Sequence, residues 1–297
     1  MKRKALAITL AAVMAMGTCA VTASAADGDK YTIGICQLVQ HDALDAATQG
    51  FKDEVIKELG EDAVTFDEQN AQGDSNTCST IVNSFVSNNV DLILANATPA
   101  LQAAAAGTSD IPILGTSVTE YGVALGLDDF DGTVGGNISG TADLAPLDEQ
   151  AAMLQELFPD AKNVGLLYCS AEANSQYQID VIKEELEKLN YTCTAYSFVD
   201  SNDIASVVQS AVNDNDVLYV PTDNTAASNA EVINNIAGEA GVPIIAGEAG
   251  ICKGCGVATL SISYYDLGYQ TGKMAYEILV NGADPSTMEV EFAPAVT

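Results

Sequence analysis

Polar side chains that could hold a small ligand follow directly after the apolar runs of this sequence. Gln40, His41 and Asp42, together with the apolar Leu44, come after the first run, and Thr98 comes after the third. His41 is the only histidine in 297 residues. Imidazole, hydroxyl, amide and carboxylate groups donate to or accept from the polar groups of a bound molecule. Their position therefore indicates binding chemistry.

The same pattern continues to the end of the chain. The remaining candidates are Ser117, Val118, Thr119, Ala173, Asn174, Ser175, Asp223, Asn224 and Glu248. Taken singly, most of the polar ones are equally good helix caps, and His41 is equally compatible with a solvent-facing loop. Because six strand ends from two halves of the chain offer such residues, we expect them to converge on one ligand cleft.

Short apolar runs that alternate with amphipathic stretches must position these residues. The predicted strands are 31–38, 63–69, 91–96, 111–117, 122–126, 163–169, 192–198, 216–221, 243–248 and 257–263. The predicted helices include 45–59, 75–88, 148–157, 175–189, 202–213 and 225–240. Continuous apolar strands alternating with helices favour parallel sheets covered on both faces.

The alternation occurs twice, so we predict an α/β fold of two similar, doubly wound parallel-sheet lobes with a ligand cleft between them. The Gly-rich segment 132–143 is interpreted as a turn-rich linker at the junction. We assign 27–136 plus 264–282 to the N-terminal lobe, and 137–263 plus 283–297 to the C-terminal lobe. The chain ends abruptly at Thr297, which is compatible with a missing C-terminal piece.

Residues 1–25 have the pattern of a secretory signal peptide. Basic residues 2–4 precede an apolar stretch, and a small-x-small site ends at Ala25. A lipid anchor at Cys19 is the alternative. Removing this segment takes away three of the 11 basic residues and no acidic one, which leaves eight against 41 and a net charge of −33. Such a surface repels nucleic acids and anionic membranes, and no later apolar stretch is long enough to span a membrane, so we expect a soluble mature chain.

The sequence contains no recognisable catalytic motif. A nucleophile elbow, a P-loop and a zinc-protease helix are all missing, and nothing pairs a nucleophile with His41. Cys252 and Cys255 form a CxxC in a predicted loop, which could be a disulfide, two idle thiols, a redox pair or half a metal site. No second CxxC and no neighbouring histidine supports a metal. We therefore expect no enzyme activity, no metal and no cofactor.

Several segments resemble substrate-binding proteins of bacterial ABC importers, of the periplasmic-binding-protein type I fold and more narrowly the tryptophan/tyrosine-type family. The matching segments are DALDAATQGFKDEV, ATPALQAA, IPILGTSVTEYGVA, EANSQYQIDVIKEEL, DVLYVPTDNTAASNAEVI and ISYYDLGYQTGKMAYEIL. They extend from Tyr31 to about Asn281. The resemblance implies a membrane permease as partner, no nucleic acid partner, a monomer, and a C-terminus longer than this one.

The resemblance also implies a site for an aromatic or related amino acid. Thr98, Ser117 and Thr119 could then bind its carboxylate, and Asp223 or Glu248 its ammonium. Leu44, Val118, Tyr121 and Tyr177 are candidates for the wall around its side chain. Two alternatives stay open at this point: a ligand sensor that reports to a membrane receptor, and a secreted hydrolase, which the missing nucleophile–base pair disfavours.

Overall fold

The computed structural model describes residues 30–292 and 295–296. The predicted signal peptide and the alternative anchor at Cys19 lie outside the described residues. Within them, no helix combines the length and the apolar character needed to cross a membrane.

The strands agree with most of the predicted runs. They are β1 (Tyr31–Gln37), β2 (Val64–Asn70), β3 (Leu92–Asn96), β4 (Ile113–Val118), β5 (Ile138–Ala142), β6 (Asn163–Cys169), β7 (Thr192–Phe198), β8 (Val217–Val220), β9 (Ile244–Ala246), β10 (Ala258–Thr259), β11 (Ser261–Ile262), β12 (Glu291–Phe292) and β13 (Ala295–Val296). The predicted strand 122–126 is wrong, because this segment is helical.

The helices fill the intervals between the strands. They are α1 (Asp42–Leu59), α2 (Ser75–Asn88), α3 (Thr98–Gly107), α4 (Tyr121–Leu125), α5 (Leu147–Leu157), α6 (Ala173–Lys188), α7 (Ile204–Asp214), α8 (Asn224–Ser228), α9 (Ala230–Ala240), α10 (Ala249–Cys255) and α11 (Tyr264–Leu279), with short 3-10 turns at Glu61–Ala63 and Pro285–Thr287. The predicted helix 225–240 is divided into α8 and α9 at Asn229.

Two parallel sheets repeat one topology. The first has the order β12-β5-β4-β3-β1-β2 and the second β10-β9-β8-β6-β7. If the edge strand β12 is set aside, the two orders match strand for strand. Both are the doubly wound arrangement in which ligands bind beyond the carboxyl ends of the strands, where the strand order reverses. That reversal lies between β1 and β3 in one lobe and between β6 and β8 in the other.

Two strands lie on the other side of the predicted lobe boundary. β5 pairs with β4 and β12 pairs with β5, so both belong to the first sheet, although the sequence assigned them to the second lobe. Within β5, Gly140 has a φ of +148°, and a Cβ there would lie 2.1 Å from the carbonyl oxygen of Gly115. Glycine at this position therefore allows the two strands to lie close together. The remaining division into lobes stays a prediction.

Helix α11 returns to the first lobe and packs closely against α1. A Cβ at Gly268 would lie 1.9 Å from the carbonyl oxygen of Ala47, and one at Gly50 would lie 2.1 Å from the carbonyl oxygen of Tyr265. The two backbones can approach this closely only because neither glycine carries a side chain. This contact fixes α1, whose first turn faces the cleft.

Gly268→Ala tests this contact. We expect it to lower the free energy of unfolding by about 1–3 kcal/mol, because the added methyl must push the two helices apart. The measurement is urea denaturation. Gly238→Ala in α9 is the matched control, since its Cβ would meet only Asn234 Oδ1, at 3.9 Å. There we expect a gain of about 0.5–1 kcal/mol from helix propensity. Equal effects at both positions would contradict the close contact.

Candidate functional site

The two sets of strand ends face one another across a small cavity of about 10 Å³ between the lobes. Half of the fourteen residues predicted from sequence line it. Those seven are His41, Leu44, Ser117, Asn174, Asp223, Asn224 and Glu248, and the wall is completed by Asp143, Thr222, Ala227 and Tyr264. Residues more than 180 positions apart in the chain therefore meet in one small space.

Contacts between the lobes surround this cavity. His41 Nε2 lies 3.1 Å from Asn224 Oδ1, and Lys253 Nζ donates to Asp42 Oδ2 at 2.7 Å. The Lys253 ammonium also holds the pKa of Asp42 below its usual range. Both side chains of this pair are largely exposed, so the pair marks the edge of the cleft and contributes little stability.

The other predicted residues lie near the cavity but do not line it. Gln40 and Asp42 line a separate, more open space at the edge, beside Lys253. Thr98 is buried at the start of α3, and its hydroxyl has no partner among the described residues. Thr119 is buried, and its hydroxyl accepts from Gln178 Nε2 of the second lobe at 3.4 Å.

Two further predicted residues flank the cavity wall at the start of α6. Ala173 is the first residue of this helix and is half-buried. Ser175 is fully buried, and its hydroxyl accepts from Asn174 Nδ2 at 3.3 Å. These residues position the wall.

Three of the four candidates for a wall around the ligand's side chain lie elsewhere. Val118 and Tyr121 are fully buried in the core of the first lobe, where the Tyr121 hydroxyl donates to the Thr141 carbonyl. Tyr177 lines a surface groove on α6. Leu44 does line the cavity, where Tyr264 and Ala227 lie instead of the other candidates.

Asp143 carries the least occupied carboxylate of the cavity wall. Its side chain is buried, Oδ2 accepts from the Tyr264 hydroxyl at 2.8 Å, and Oδ1 has no partner among the described residues. Burial raises the pKa of Asp143, although the hydrogen bond from Tyr264 opposes the shift. A buried carboxylate oxygen that lacks a donor favours a cationic partner.

The two carboxylates predicted to bind an ammonium are already engaged. Asp223 Oδ1 and Oδ2 accept from the backbone N–H groups of Ala226 and Cys169, at 2.7 and 2.6 Å. Glu248 caps α10 by accepting from the N–H groups of Gly250 and Ile251. Burial, and then the charge of Glu172, raise the pKa of Asp223 to about 7, and burial raises that of Glu248. Their assignment as ammonium partners stays a prediction.

Glu172 organises the second lobe's side of the cavity. Its carboxylate accepts five hydrogen bonds, from the N–H groups and side chains of Asn224 and Thr225 and from the side chain of Asn174. Because both amide nitrogens point at this carboxylate, the amide oxygens of Asn174 and Asn224 are directed away from it. Asn174 Oδ1 is buried with no partner among the described residues.

The first lobe's side of the site contains unusual backbone. Ser117 has a φ of +55° at an irregularity in the pairing of β4 with β5, and Ala97, just before α3, has a φ of +95°. Conformations of this kind in residues other than glycine are costly and concentrate at functional sites. The Ser117 hydroxyl is buried without a partner in the described part of the chain.

Sequence reasoning missed Asp143, Tyr264 and Glu172. Asp143 follows β5, but that strand was hidden in a Gly-rich segment interpreted as a linker. Tyr264 opens α11 within a motif that was used only for the resemblance. Glu172 precedes α6 without capping it, so only its place just after β6 could have identified it.

The six cysteines in the part of the chain that the structure describes are free thiols. Cys252 and Cys255 are free thiols on helix α10, so the prediction that they lie in a loop is wrong. Burial raises the pKa of Cys255 to about 12, which makes it a poor nucleophile. Among the described residues, no cluster of His, Cys, Asp or Glu is placed to hold a metal ion.

The chain is similar to solute-binding proteins along nearly its whole length. A family model of ABC transporter substrate-binding proteins matches residues 32–296. The tyrosine-binding protein of Clostridioides difficile is 40% identical over 253 residues, which are 83% of this chain and 72% of that protein. A Streptococcus pneumoniae domain in complex with L-Trp is 32% identical, with a TM-score of 0.86 and 90% of each chain covered.

A third relative differs in lobe arrangement. The ligand-free, open structure of a substrate-binding protein with adhesive properties from Clostridium difficile is 40% identical, covers 89% of this chain and 90% of its own, and has a TM-score of 0.66. The more identical chain thus superposes less well than the tryptophan complex. This contrast, with the hydrogen bonds that cross the cleft, indicates that the lobes of the present structure are closed.

The buried carboxyl groups predict how stability depends on pH. The pKa of Asp223 is raised from 3.8 to about 7, and those of Asp143 and Glu248 are raised as well. The folded chain therefore keeps protons that the unfolded chain releases, and the free energy of unfolding falls as the pH rises. We expect the protein without ligand to lose roughly 2–4 kcal/mol between about pH 5 and pH 8, measured by urea denaturation at constant ionic strength.

Asp143→Asn provides the control for this experiment. An amide at this position still accepts from the Tyr264 hydroxyl but does not titrate, so the decrease with pH should become shallower. Stability that rises with pH across the same interval would contradict the burial of uncompensated carboxylates.

Proposed function

Because the chain belongs to the family of ABC transporter substrate-binding proteins, whose members are extracytoplasmic solute-binding proteins and not enzymes, we propose that it binds an aromatic or related amino acid between its closing lobes and delivers it to a membrane permease for import. The observation that carries the proposal is the buried, unpartnered Oδ1 of Asp143 in a cavity that also presents unpartnered hydroxyl and amide groups.

Asp143 is the proposed partner of the ligand's ammonium. Of the three carboxylates in the cavity wall, it alone retains an oxygen without a donor among the described residues. The carboxylate oxygens of Asp223 and Glu248 instead accept hydrogen bonds from backbone N–H groups. One free carboxylate oxygen matches a ligand with one cationic group.

The ligand's carboxylate is assigned to the groups at the ends of β3 and β4. Ser117 lines the cavity with an unpartnered hydroxyl, and the unpartnered hydroxyl of Thr98 lies at the N-terminus of α3. Helix α3 has no side-chain cap, so its first N–H groups and its dipole favour an anion there.

The aromatic side chain of the ligand is assigned to the apolar part of the wall. Leu44, Ala227 and the ring of Tyr264 supply this surface, and His41 supplies a further ring. This chain contains no tryptophan, so aromatic contacts use these rings. Two relatives that are 40% and 32% identical to this chain are a tyrosine-binding protein and a domain in complex with L-Trp, which supports this choice of class.

The proposal extends to the whole exported protein. Residues 1–25 are proposed to direct export and to be removed, with lipidation of Cys19 as the alternative, and the mature protein is proposed to act as a monomer. Mass spectrometry of the protein recovered from its native host distinguishes cleavage after Ala25 from lipidation at Cys19.

Isothermal titration with a small ligand series tests the binding function. We expect L-tyrosine, L-phenylalanine or L-tryptophan to bind and to raise the melting temperature, because a ligand that binds only the folded chain stabilises it. Tyramine lacks the carboxylate and 3-(4-hydroxyphenyl)propionate lacks the ammonium, so each should bind much more weakly than tyrosine. A purine or sugar that bound while all amino acids failed would refute the proposal.

Asp143→Asn is expected to weaken amino acid binding about tenfold or more, since a charge-assisted hydrogen bond contributes about 1.5–3 kcal/mol. The measurement is calorimetric titration at about pH 8. Asp148→Asn is the matched control, because Asp148 is exposed in the first turn of α5. An unchanged Kd in Asp143→Asn would remove Asp143 from the site and leave Asp223 and Glu248 as the remaining candidates.

A further inference from the structure

The orientation of the Asn224 side chain determines which proton His41 carries. Asn224 Nδ2 donates to Glu172 Oε2 at 2.7 Å, and Glu172 accepts from four other donors. Rotating the amide would turn its oxygen toward a carboxylate that has no proton to offer. Asn224 Oδ1 is therefore fixed as the atom that faces His41.

An amide oxygen only accepts hydrogen bonds, so His41 Nε2 must donate to it. In the neutral ring, the proton is then on Nε2, and Nδ1 carries a lone pair. His41 Nδ1 is buried and has no partner among the described residues. The closed lobes thus hold this imidazole in one tautomer, with an acceptor atom left for another group.

Three acceptors without partners belong to side chains that line the same cavity. They are His41 Nδ1, Asp143 Oδ1 and Asn174 Oδ1. When Asp143 is ionised, none of the three can donate, because the His41 proton is on Nε2 and Asn174 Nδ2 already donates to Glu172 Oε2 and to the Thr222 carbonyl. An alkylammonium group has three N–H donors, which is the complement of this set.

We propose that His41 is a specificity-determining residue of the site: its Nδ1 accepts a hydrogen bond from the ligand's ammonium, and protonation of the ring releases the ligand. This inference rests on the proposed amino acid function. When the ring gains a proton, Nδ1 changes from acceptor to donor and places a positive charge beside the ammonium. Affinity must then fall as the pH is lowered through the range in which histidine titrates, about pH 5 to 8.

Other charged groups around His41 act on the same equilibrium. They are Asp143, Asp223 and Glu248 in the cavity wall, Asp42 and Lys253 at the edge, and Glu172 behind Asn224. Protonation of the three wall carboxylates at low pH would also weaken ammonium binding. Because the sign is the same, pH dependence in the wild type alone cannot identify His41, and variants of the ring are needed.

Two substitutions separate the functions of the two ring nitrogens. His41→Asn places an amide oxygen near the position of Nδ1, so it keeps an acceptor, cannot titrate, and gives up the contact with Asn224. His41→Gln reaches toward Asn224 but leaves no acceptor at the position of Nδ1. The probe is L-tyrosine, titrated calorimetrically at intervals from about pH 5.5 to about pH 8.

We expect the wild-type Kd to rise about tenfold or more from about pH 8 to about pH 5.5. His41→Asn should bind within about threefold of wild type at the high end and show a clearly smaller change with pH. His41→Gln should bind about tenfold more weakly at the high end, because the acceptor is lost. Wild-type affinity in His41→Gln, or an undiminished pH dependence in His41→Asn, would overturn the proposal.

The single histidine makes a direct measurement simple. In protein without a polyhistidine tag, ¹⁵N-histidine labelling gives one imidazole, whose two nitrogen shifts report the tautomer. We expect the Nε2–H form in the tyrosine complex at about pH 8, and the Nδ1–H form there would refute the assignment. If the wild type binds no amino acid, the proposed function fails as well. If it binds and only the His41 results disagree, this inference alone is wrong.

Discussion

Five N–H and O–H donors converge on the carboxylate of Glu172, where strand β6 ends and α8 begins. A buried carboxylate is tolerable only when its lone pairs are used, and here that requirement orients two amide side chains at once. Asn174 then presents an oxygen to the cavity, and Asn224 presents one to His41 of the other lobe. One fully hydrogen-bonded carboxylate therefore orients both amide side chains, Asn174 and Asn224.

The first lobe is organised differently, by its backbone. Ser117 and Ala97 adopt positive φ values at two strand ends, and Asp143 is brought to the cavity at the end of a strand whose glycine permits close pairing. Strain and unpartnered polar groups destabilise the isolated lobe but suit it to a partner that supplies charge and hydrogen bonds. The cleft thus combines a side ordered around one fully bonded carboxylate with a side that contains strained backbone and the unpartnered groups of Ser117 and Asp143.

Much of this arrangement could be predicted from the sequence, because apolar runs buried on both faces predict parallel strands directly. The paired sheets were predicted correctly in this way, and the family was predicted correctly from the resemblance of longer segments. Strand β5 was not, since glycines make its sequence typical of a turn, and Asp143 was missed with it. The side chain of Val118 points into the core and not into the cleft. Whether a carboxylate such as Asp223 already accepts hydrogen bonds depends on backbone donors that no sequence pattern reveals.

The return of the chain to the first sheet has a consequence for biosynthesis. Helix α11 packs on the first lobe and strand β12 pairs in the first sheet, yet both are encoded after every strand of the second sheet, from β6 to β10. As the polypeptide leaves the ribosome, the second lobe has all its strands before the first has its last helix. The apolar face of α1 stays uncovered until α11 has been made. Chaperones can therefore bind to α1 for longer than to the helices that are covered sooner.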